Sequence, residues 1–251
     1  MERPPPAPSN VPPGKRILIV IPVYNERENI VGLLDQLLAI PPALDVLLIE
    51  DNSPDGTGAV VDAYSRENPR VAVIHRPGKL GLGTAYVRGF AYAIGNGYDY
   101  VIEMDADNSH DPKYIAPFIE AIEGYDLVIG SRYLKGVSSV NWPFWRLVMS
   151  YLANKYVRFV SGMPYTDCTG GYKIISRRAL EAIDLREVKS NSFSFQFELL
   201  YRMHAKGMRI REIPIIFYER AIGKSKMDKK TFFEALLKVI QLRLKRARGR
   251  L

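Results

Sequence analysis

Apolar residues along this chain follow two alternating rhythms. Arg16 to Val23 (RILIVIPV), Asp45 to Asp51 (DVLLIED), Val71 to His75 and Tyr100 to Met104 are short runs rich in β-branched residues, as strands covered on both faces require. Between them the spacing becomes helical: Ile30, Leu33, Leu34, Leu37 and Leu38, then Val60, Val61 and Tyr64, then Thr84 to Ile94. Asn25 and Glu28 read as a capping box that opens the first helix. Strands alternating with helices at this spacing predict an α/β fold with a doubly wound, mostly parallel sheet, helices on both faces and right-handed crossovers. Ligands in such sheets sit at the carboxyl ends of the strands.

A fifth strand, Asp126 to Ile129, is followed by Gly130-Ser131-Arg132-Tyr133, after which the alternation breaks. Trp142 to Val160 reads as an aromatic-rich helix, Lys173 to Ser176 as a strand after a tight turn, Ser194 to His204 as a helix and Arg209 to Phe217 as a last strand. Arg220 and Lys226 bracket Gly223 in a flexible basic loop able to close over phosphates. Thr231 to Arg250 has amphipathic helical spacing. Glu234, Lys238, Gln241, Lys245 and Arg248 share one face, and Phe233, Leu236, Leu237, Ile240 and Leu244 the other. The expected organisation is a disordered proline-rich arm (1–14), one globular domain (15–226) and a basic amphipathic helix and tail (227–251).

Composition narrows the picture. With 251 residues, 47% of them hydrophobic, the chain can bury one large core. The single cysteine, Cys168, excludes an intramolecular disulfide, and no zinc-spaced cluster accompanies it, which fits a reducing compartment. Six prolines in the first 13 residues, without an apolar stretch, match neither a signal peptide nor a helix. No apolar run reaches 18 residues. The expected location is cytoplasmic. From Arg220 to Leu251 there are 11 Lys/Arg against 2 Asp/Glu, net +9, whereas the preceding 219 residues are net −1. That concentration argues for a basic appendage facing a membrane and against a nucleic-acid-binding surface.

The candidate chemistry lies where the strands end. Alternation puts Glu103, Asp105 and Asp107 on one side as the chain leaves the fourth strand. Crowded carboxylates suit a hard divalent cation, and Mg²⁺ typically binds through one or two carboxylates plus substrate phosphates. Pro22, Tyr24 and Glu26, then Glu50 and Asp51, then Asp105 and Asp107, then Arg132 converge on one rim, as a nucleotide site would require. Gly81 and Gly83 lack the third glycine of a dinucleotide fingerprint and read as packing glycines; no P-loop is present. Arg146 and Ser150, four residues apart, would hold a phosphate at the mouth of an apolar groove.

Together Ile21-Pro22-Val23-Tyr24-Asn25-Glu26, Glu50-Asp51-Asn52-Ser53-Pro54-Asp55-Gly56-Thr57, Asp105-Ala106-Asp107-x-Ser109-His110, Gly130-Ser131-Arg132-Tyr133 and Gly223-Lys224-Ser225-Lys226 resemble the dolichyl-phosphate (polyprenyl-phosphate) mannosyltransferases of glycosyltransferase family two. The resemblance implies a GT-A fold that moves mannose from GDP-mannose to a dolichyl or polyprenyl phosphate with inversion. It implies that Pro22, Tyr24, Glu26, Ile49, Asp51, Asp105 and Ala106 line the nucleotide, and that Asp107 and Ser109 hold Mg²⁺ or Mn²⁺. Arg132, Arg146 and Ser150 would meet the acceptor phosphate, and Arg220 and Lys226 the donor diphosphate. Some relatives carry C-terminal transmembrane helices where this chain has a basic helix, so peripheral binding at the cytoplasmic face, or a separate membrane-anchoring subunit, would bring it to its lipid.

Such an acceptor needs no general base. A phosphate monoester with a second pKa near 6 is already a dianion at pH 7. It needs neutralisation as it approaches the sugar diphosphate, which cations would supply. The same motifs would also serve a UDP-glucose-dependent polyprenyl-phosphate transferase. A sugar nucleotidyltransferase would need a glycine-rich loop where Val23-Tyr24-Asn25-Glu26 stands, and a non-enzymatic basic module leaves the acidic rim unexplained.

Overall fold

The structure, a computed structural model, describes residues 14–41, 44–192, 194–219 and 229–248, and within 229–235 the backbone only. The proline-rich arm through residue 13 and the basic loop with Arg220 and Lys226 lie outside the described residues.

The expected strands form as β1 (Ile17–Val23), β2 (Asp45–Glu50), β3 (Val71–His75), β4 (Tyr100–Glu103) and β5 (Leu127–Ser131). They alternate with α1 (Ile30–Leu38), α2 (Thr57–Glu67), α3 (Leu82–Gly95) and α4 (Ile115–Ala121). The chain continues through β6 (Ser139–Val140), α5 (Phe144–Ser161), β7 (Lys173–Ser176), α6 (Arg177–Ala182), α7 (Ser194–Ala205), β8 (Ile210–Pro214), β9 (Phe217–Tyr218) and α8 (Lys229–Ala247). Seven strands make one sheet in the order β3-β2-β1-β4-β7-β5-β8, and β6 pairs with β9 beside it. All neighbours in the large sheet run parallel except β7, which is antiparallel to both β4 and β5.

Two-sided burial explains the unbroken apolar strands. Leu18 and Val20 of β1 face a core shared with α3, α5, α6, α7 and α8, while Ile17, Ile19 and Ile21 face α1, α2 and α4. The strand order reverses direction between β1 and β4, the switch point where doubly wound sheets bind ligands.

Two local expectations are corrected. The first helix opens at Ile30, with Asn29 as its cap, not at Asn25. Asn25 instead takes a left-handed φ of 59° and donates its amide to Ser53 Oγ at 3.1 Å. Asn52 and Asn108 repeat that geometry (φ 55° and 60°), so each loop leaving β1, β2 and β4 turns on a left-handed asparagine, a conformation its short polar side chain tolerates.

Secondly, α8 packs onto the domain. Val239 and Leu242 enter the core, Lys238 pairs with Glu198 of α7 at 3.2 Å, and Arg243 donates to the Val160 carbonyl of α5. Lys238 is therefore turned toward α7 and partly buried, whereas Lys245, two turns on along the same face, is exposed. Leu237, Ile240 and Leu244 remain exposed as a stripe.

Candidate active site

A cleft of about 300 Å³ opens at the carboxyl ends of β1, β2 and β4. Pro22, Tyr24, Glu26, Asp51, Asp105, Ala106 and Asp107 line it, together with Lys79, Gly81, Leu82, Asn191 and Ser192. Ile49 differs from expectation: it shares a face of β2 with Asp51 but sits one step back from the rim, so its side chain is fully buried in the core shared with α3 and does not line the cleft. Asp51 is buried and held by Arg76, which donates Nε to Oδ1 (2.5 Å) and Nη2 to Oδ2 (2.6 Å). Lys79 lies 4.8 Å from the Tyr24 ring centroid and brings a cation into the cleft.

The two glycines preceding Thr84 close the far wall. A Cβ on Gly83 would lie 2.0 Å from the Ser190 carbonyl oxygen, so only glycine lets the segment with Asn191 and Ser192 lie against the start of α3. Ser190 is itself fixed to Glu198, donating from its amide (3.1 Å) and hydroxyl (2.5 Å). Because Glu198 also pairs with Lys238, α8 braces the wall of the cleft from behind.

The acidic loop after β4 divides its carboxylates. Strand pairing ends at Glu103, whose side chain turns into the interior, fully buried, 3.9 Å from Lys173 Nζ on β7. Burial pushes its carboxyl up to about 7 against the attraction of Lys173. Glu103 therefore does not join the rim carboxylates. Asp105 accepts from the Tyr86 hydroxyl at 3.3 Å, and Asp107 accepts the Ser109 amide at 3.1 Å. His110, the last residue of the acidic motif and assigned no role from the sequence, anchors this loop. Its Nδ1 accepts the Asp105 amide at 2.9 Å, its ring stacks on Tyr172, and burial holds its pKa below the usual value.

The donor set beside the cleft suits a hard cation. Ser109 Oγ is buried with no hydrogen-bond partner, next to the carboxylate of Asp107. A buried hydroxyl left unpaired costs about 1–3 kcal/mol, which a coordinated Mg²⁺ or Mn²⁺ would offset. Among the described residues no group of three or more His, Cys, Asp or Glu gathers as an all-protein cage.

A second, cationic site adjoins the first. Arg132 is buried and doubly bound to Asp167, Nε to Oδ2 at 2.7 Å and Nη2 to Oδ1 at 2.8 Å, with Thr169 Oγ1 accepting from Nη2. Burial alone would raise the Asp167 carboxyl, but the guanidinium holds it below the usual range. Arg146, on the first turns of α5, donates to Glu219 at 2.8 Å, and Ser150 Oγ receives the Tyr133 hydroxyl at 2.8 Å. One ring joins the two sites: Phe217 lies 5.5 Å from His110, 5.4 Å from Trp142 and 5.6 Å from the Arg132 guanidinium carbon. Asp167 had been legible only as part of a tight turn, and nothing in its neighbours marks it as the partner of an arginine 35 residues away.

This fold recurs in glucosyl-3-phosphoglycerate synthase from Mycobacterium tuberculosis, solved with Mn²⁺, uridine diphosphate and phosphoglyceric acid, with a TM-score of 0.65 at 19% identity over 93% of this chain and 78% of that one. The architecture is that of a GT-A glycosyltransferase. Residues 18–184 match glycosyl transferase family 2, and the chain belongs to that family. It is 44% identical over 248 residues to polyprenol monophosphomannose synthase of Mycolicibacterium smegmatis, covering 96% of this chain and 94% of the relative. It is 43% identical over 224 residues to undecaprenyl-phosphate mannosyltransferase of Micrococcus luteus, covering 89% and 92%.

Proposed function

We propose that this glycosyltransferase moves mannose from GDP-mannose to a dolichyl or polyprenyl phosphate, giving a β-mannosyl phosphate lipid. The observation that carries the reading is the pairing of an acidic cleft with an arginine site one aromatic ring away, on a helix whose outer face is apolar. Similarity to two relatives named for mannosyl transfer to polyprenyl phosphates supports the sugar and the lipid.

In this reading the nucleotide occupies the cleft between Tyr24, Asp51 and Lys79, with Pro22, Glu26, Asp105 and Ala106 shaping it. Asp107 and Ser109 would hold Mg²⁺ or Mn²⁺, which supplies neutralisation of the departing diphosphate. Arg132, Arg146 and Ser150 orient the acceptor phosphate, a dianion that attacks the anomeric carbon in line and inverts it without a general base. Arg220 and Lys226 are assigned to the donor diphosphate from the sequence alone.

The protein meets its lipid at the membrane surface. No helix among the described residues is long and apolar enough to cross a bilayer. Instead Trp145 (66% exposed), Leu152 (54%) and Phe159 (86%) recur every seven residues along one face of α5. The exposed stripe Leu237, Ile240 and Leu244 runs along α8, which is tied to α5 by the Tyr156 hydroxyl on the Leu236 carbonyl. Exposed Lys155, Lys245 and Arg248 flank these stripes, the arrangement of an interfacial surface on anionic lipid. The apolar faces accompany the same helix that carries Arg146 and Ser150, so docking would deliver the lipid phosphate to them.

The test is transfer from sugar nucleotides to a polyprenyl phosphate in vesicles. Mannosyl transfer from GDP-mannose that needs a divalent ion is expected. Preference for UDP-glucose would replace this reading with a glucosyl one.

A further inference from the structure

Trp142 lies against both arginines of the acceptor site. The left-handed turn at Asn141 (φ 63°) directs it from β6 toward the start of α5. There its indole lies 4.4 Å from the Arg146 guanidinium carbon and 5.7 Å from that of Arg132. Phe217 meets it edge-on at 5.4 Å and fixes its plane. Asp167 and Glu219 neutralise the two guanidiniums while no phosphate is bound. An aromatic ring in contact with both holds them beside each other through its negative face. The indole Nε1–H is buried and has no hydrogen-bond partner among the described residues. A buried donor without an acceptor is costly, and it stands in a cluster otherwise built to meet an anion.

We propose that Trp142 is a positioning residue of the acceptor-phosphate site: its ring holds Arg132 and Arg146 in register for one phosphate, and its indole N–H donates to that phosphate when it binds. The inference rests on the assignment of these arginines to the acceptor. Glu219 is the counterpart. Its carboxylate holds Arg146 at 2.8 Å, so an incoming phosphate exchanges one anion for another on the same guanidinium. The exchange keeps Arg146 neutralised throughout, and only the phosphate form adds an acceptor for the indole.

Three variants separate the contributions. Trp142→Phe keeps a ring against both arginines and removes the N–H, and it should raise the acceptor KM about fifteenfold, one charge-assisted hydrogen bond's worth. Trp142→Leu removes both and should raise it about thirtyfold, while the GDP-mannose KM stays within about twofold in each. Acceptor KM values within about twofold of wild type in both variants would overturn the proposal. So would a parallel rise for both substrates accompanied by a lowered melting temperature, which marks a structural ring only. Arg146→Ala tests the underlying assignment independently. If it raises the acceptor KM alone while Trp142→Leu changes nothing, only the role of Trp142 falls; if it raises both KM values equally, the acceptor assignment falls.

Fluorescence supplies a readout apart from turnover. The chain has two tryptophans, so Trp145→Phe leaves Trp142 as the sole tryptophan, which excitation at its red edge selects over the tyrosines. Titrating a short-chain, water-soluble polyprenyl phosphate should shift its emission, and inorganic phosphate should do so only at far higher concentration. GDP should leave it unchanged. A shift with GDP, or none with the polyprenyl phosphate, contradicts the proposal.

Discussion

Asp167→Ala should destabilise the protein severely and disable its acceptor side, because Asp167 holds Arg132 in the interior. The carboxylate is fully buried and accepts from Arg132 three times, through the backbone amide (3.1 Å), Nε (2.7 Å) and Nη2 (2.8 Å), and from the Thr169 amide at 3.2 Å. Removing one partner of a buried pair leaves an uncompensated charge and costs about 3–5 kcal/mol. For a chain of this size each kcal/mol lowers Tm by about 2–4 °C, so the fall should be about 6–20 °C. Asp167→Asn keeps the shape and part of the bonding, and it should cost about 1–3 kcal/mol. The pH dependence has a definite sign. The folded pKa of Asp167 is depressed, so its contribution is present above the ordinary value of 3.8 and is lost as pH falls through the folded value. The gap between wild type and Asp167→Asn in a thermal melt should therefore hold steady above about pH 5 and narrow in acid. Steady-state kinetics of Asp167→Asn should show a raised acceptor KM with a smaller change for the sugar nucleotide. A loss under about 1 kcal/mol in Asp167→Ala with unchanged acceptor KM would refute the reasoning, since Arg132 would then be held by something else.

Other perturbations probe separate parts of the account. Asp107→Ala should abolish metal-dependent transfer and lower Tm by about 2–12 °C, since it removes no core volume but leaves the buried Ser109 amide without its acceptor; turnover within about threefold of wild type, under 1 kcal/mol, contradicts the metal assignment. Replacing Leu237, Ile240 and Leu244 together by serine should weaken co-sedimentation with anionic vesicles at least about tenfold without lowering Tm, because these side chains are exposed in the protein alone. Deleting all of α8 is a poorer test, as Val239, Leu242 and the Lys238–Glu198 pair belong to the fold and its loss should collapse the melting transition. His75 bridges Asp62 (2.8 Å) and Glu50 (3.2 Å), and the Asp62 contact raises its pKa. Its contribution is therefore full below about pH 6.5 and disappears as pH rises through the folded value, so His75→Ala should lower Tm at about pH 6 more than at about pH 8.5. Equal losses at both would contradict the charge argument.

The sequence disclosed those features whose signal is local and repeated. Continuous β-branched runs marked β1 to β4 because both faces of those strands are buried, and the acid and amide residues at their ends marked the rim. Hydropathy carries no direction, so the antiparallel insertion of β7 between β4 and β5 was invisible: Ile174 and Ile175 are buried whichever way the strand runs. The partner of Glu103 is Lys173, on that inserted strand, and the carboxylate accordingly turns inward where alternation had grouped it with Asp105 and Asp107. Asn25 carried a valid capping pattern, but its left-handed turn and its bond to Ser53 depend on the loop after β2. In α8 periodicity found the apolar stripe Leu237, Ile240 and Leu244 without revealing that Val239 and Leu242 on another face fill the core.

The central claim is a choice of donor and acceptor, and a competition assay tests it directly. Purified protein in vesicles containing a polyprenyl phosphate, with Mg²⁺ or Mn²⁺, is offered equal labelled GDP-mannose and UDP-glucose, and the lipid product is extracted and its sugar and anomeric configuration determined. The expected product is β-mannosyl phosphate lipid, absent when the metal is chelated. A glucosyl lipid, an α-linked product, or sugar transferred to a hydroxyl acceptor in place of the lipid phosphate would contradict the account.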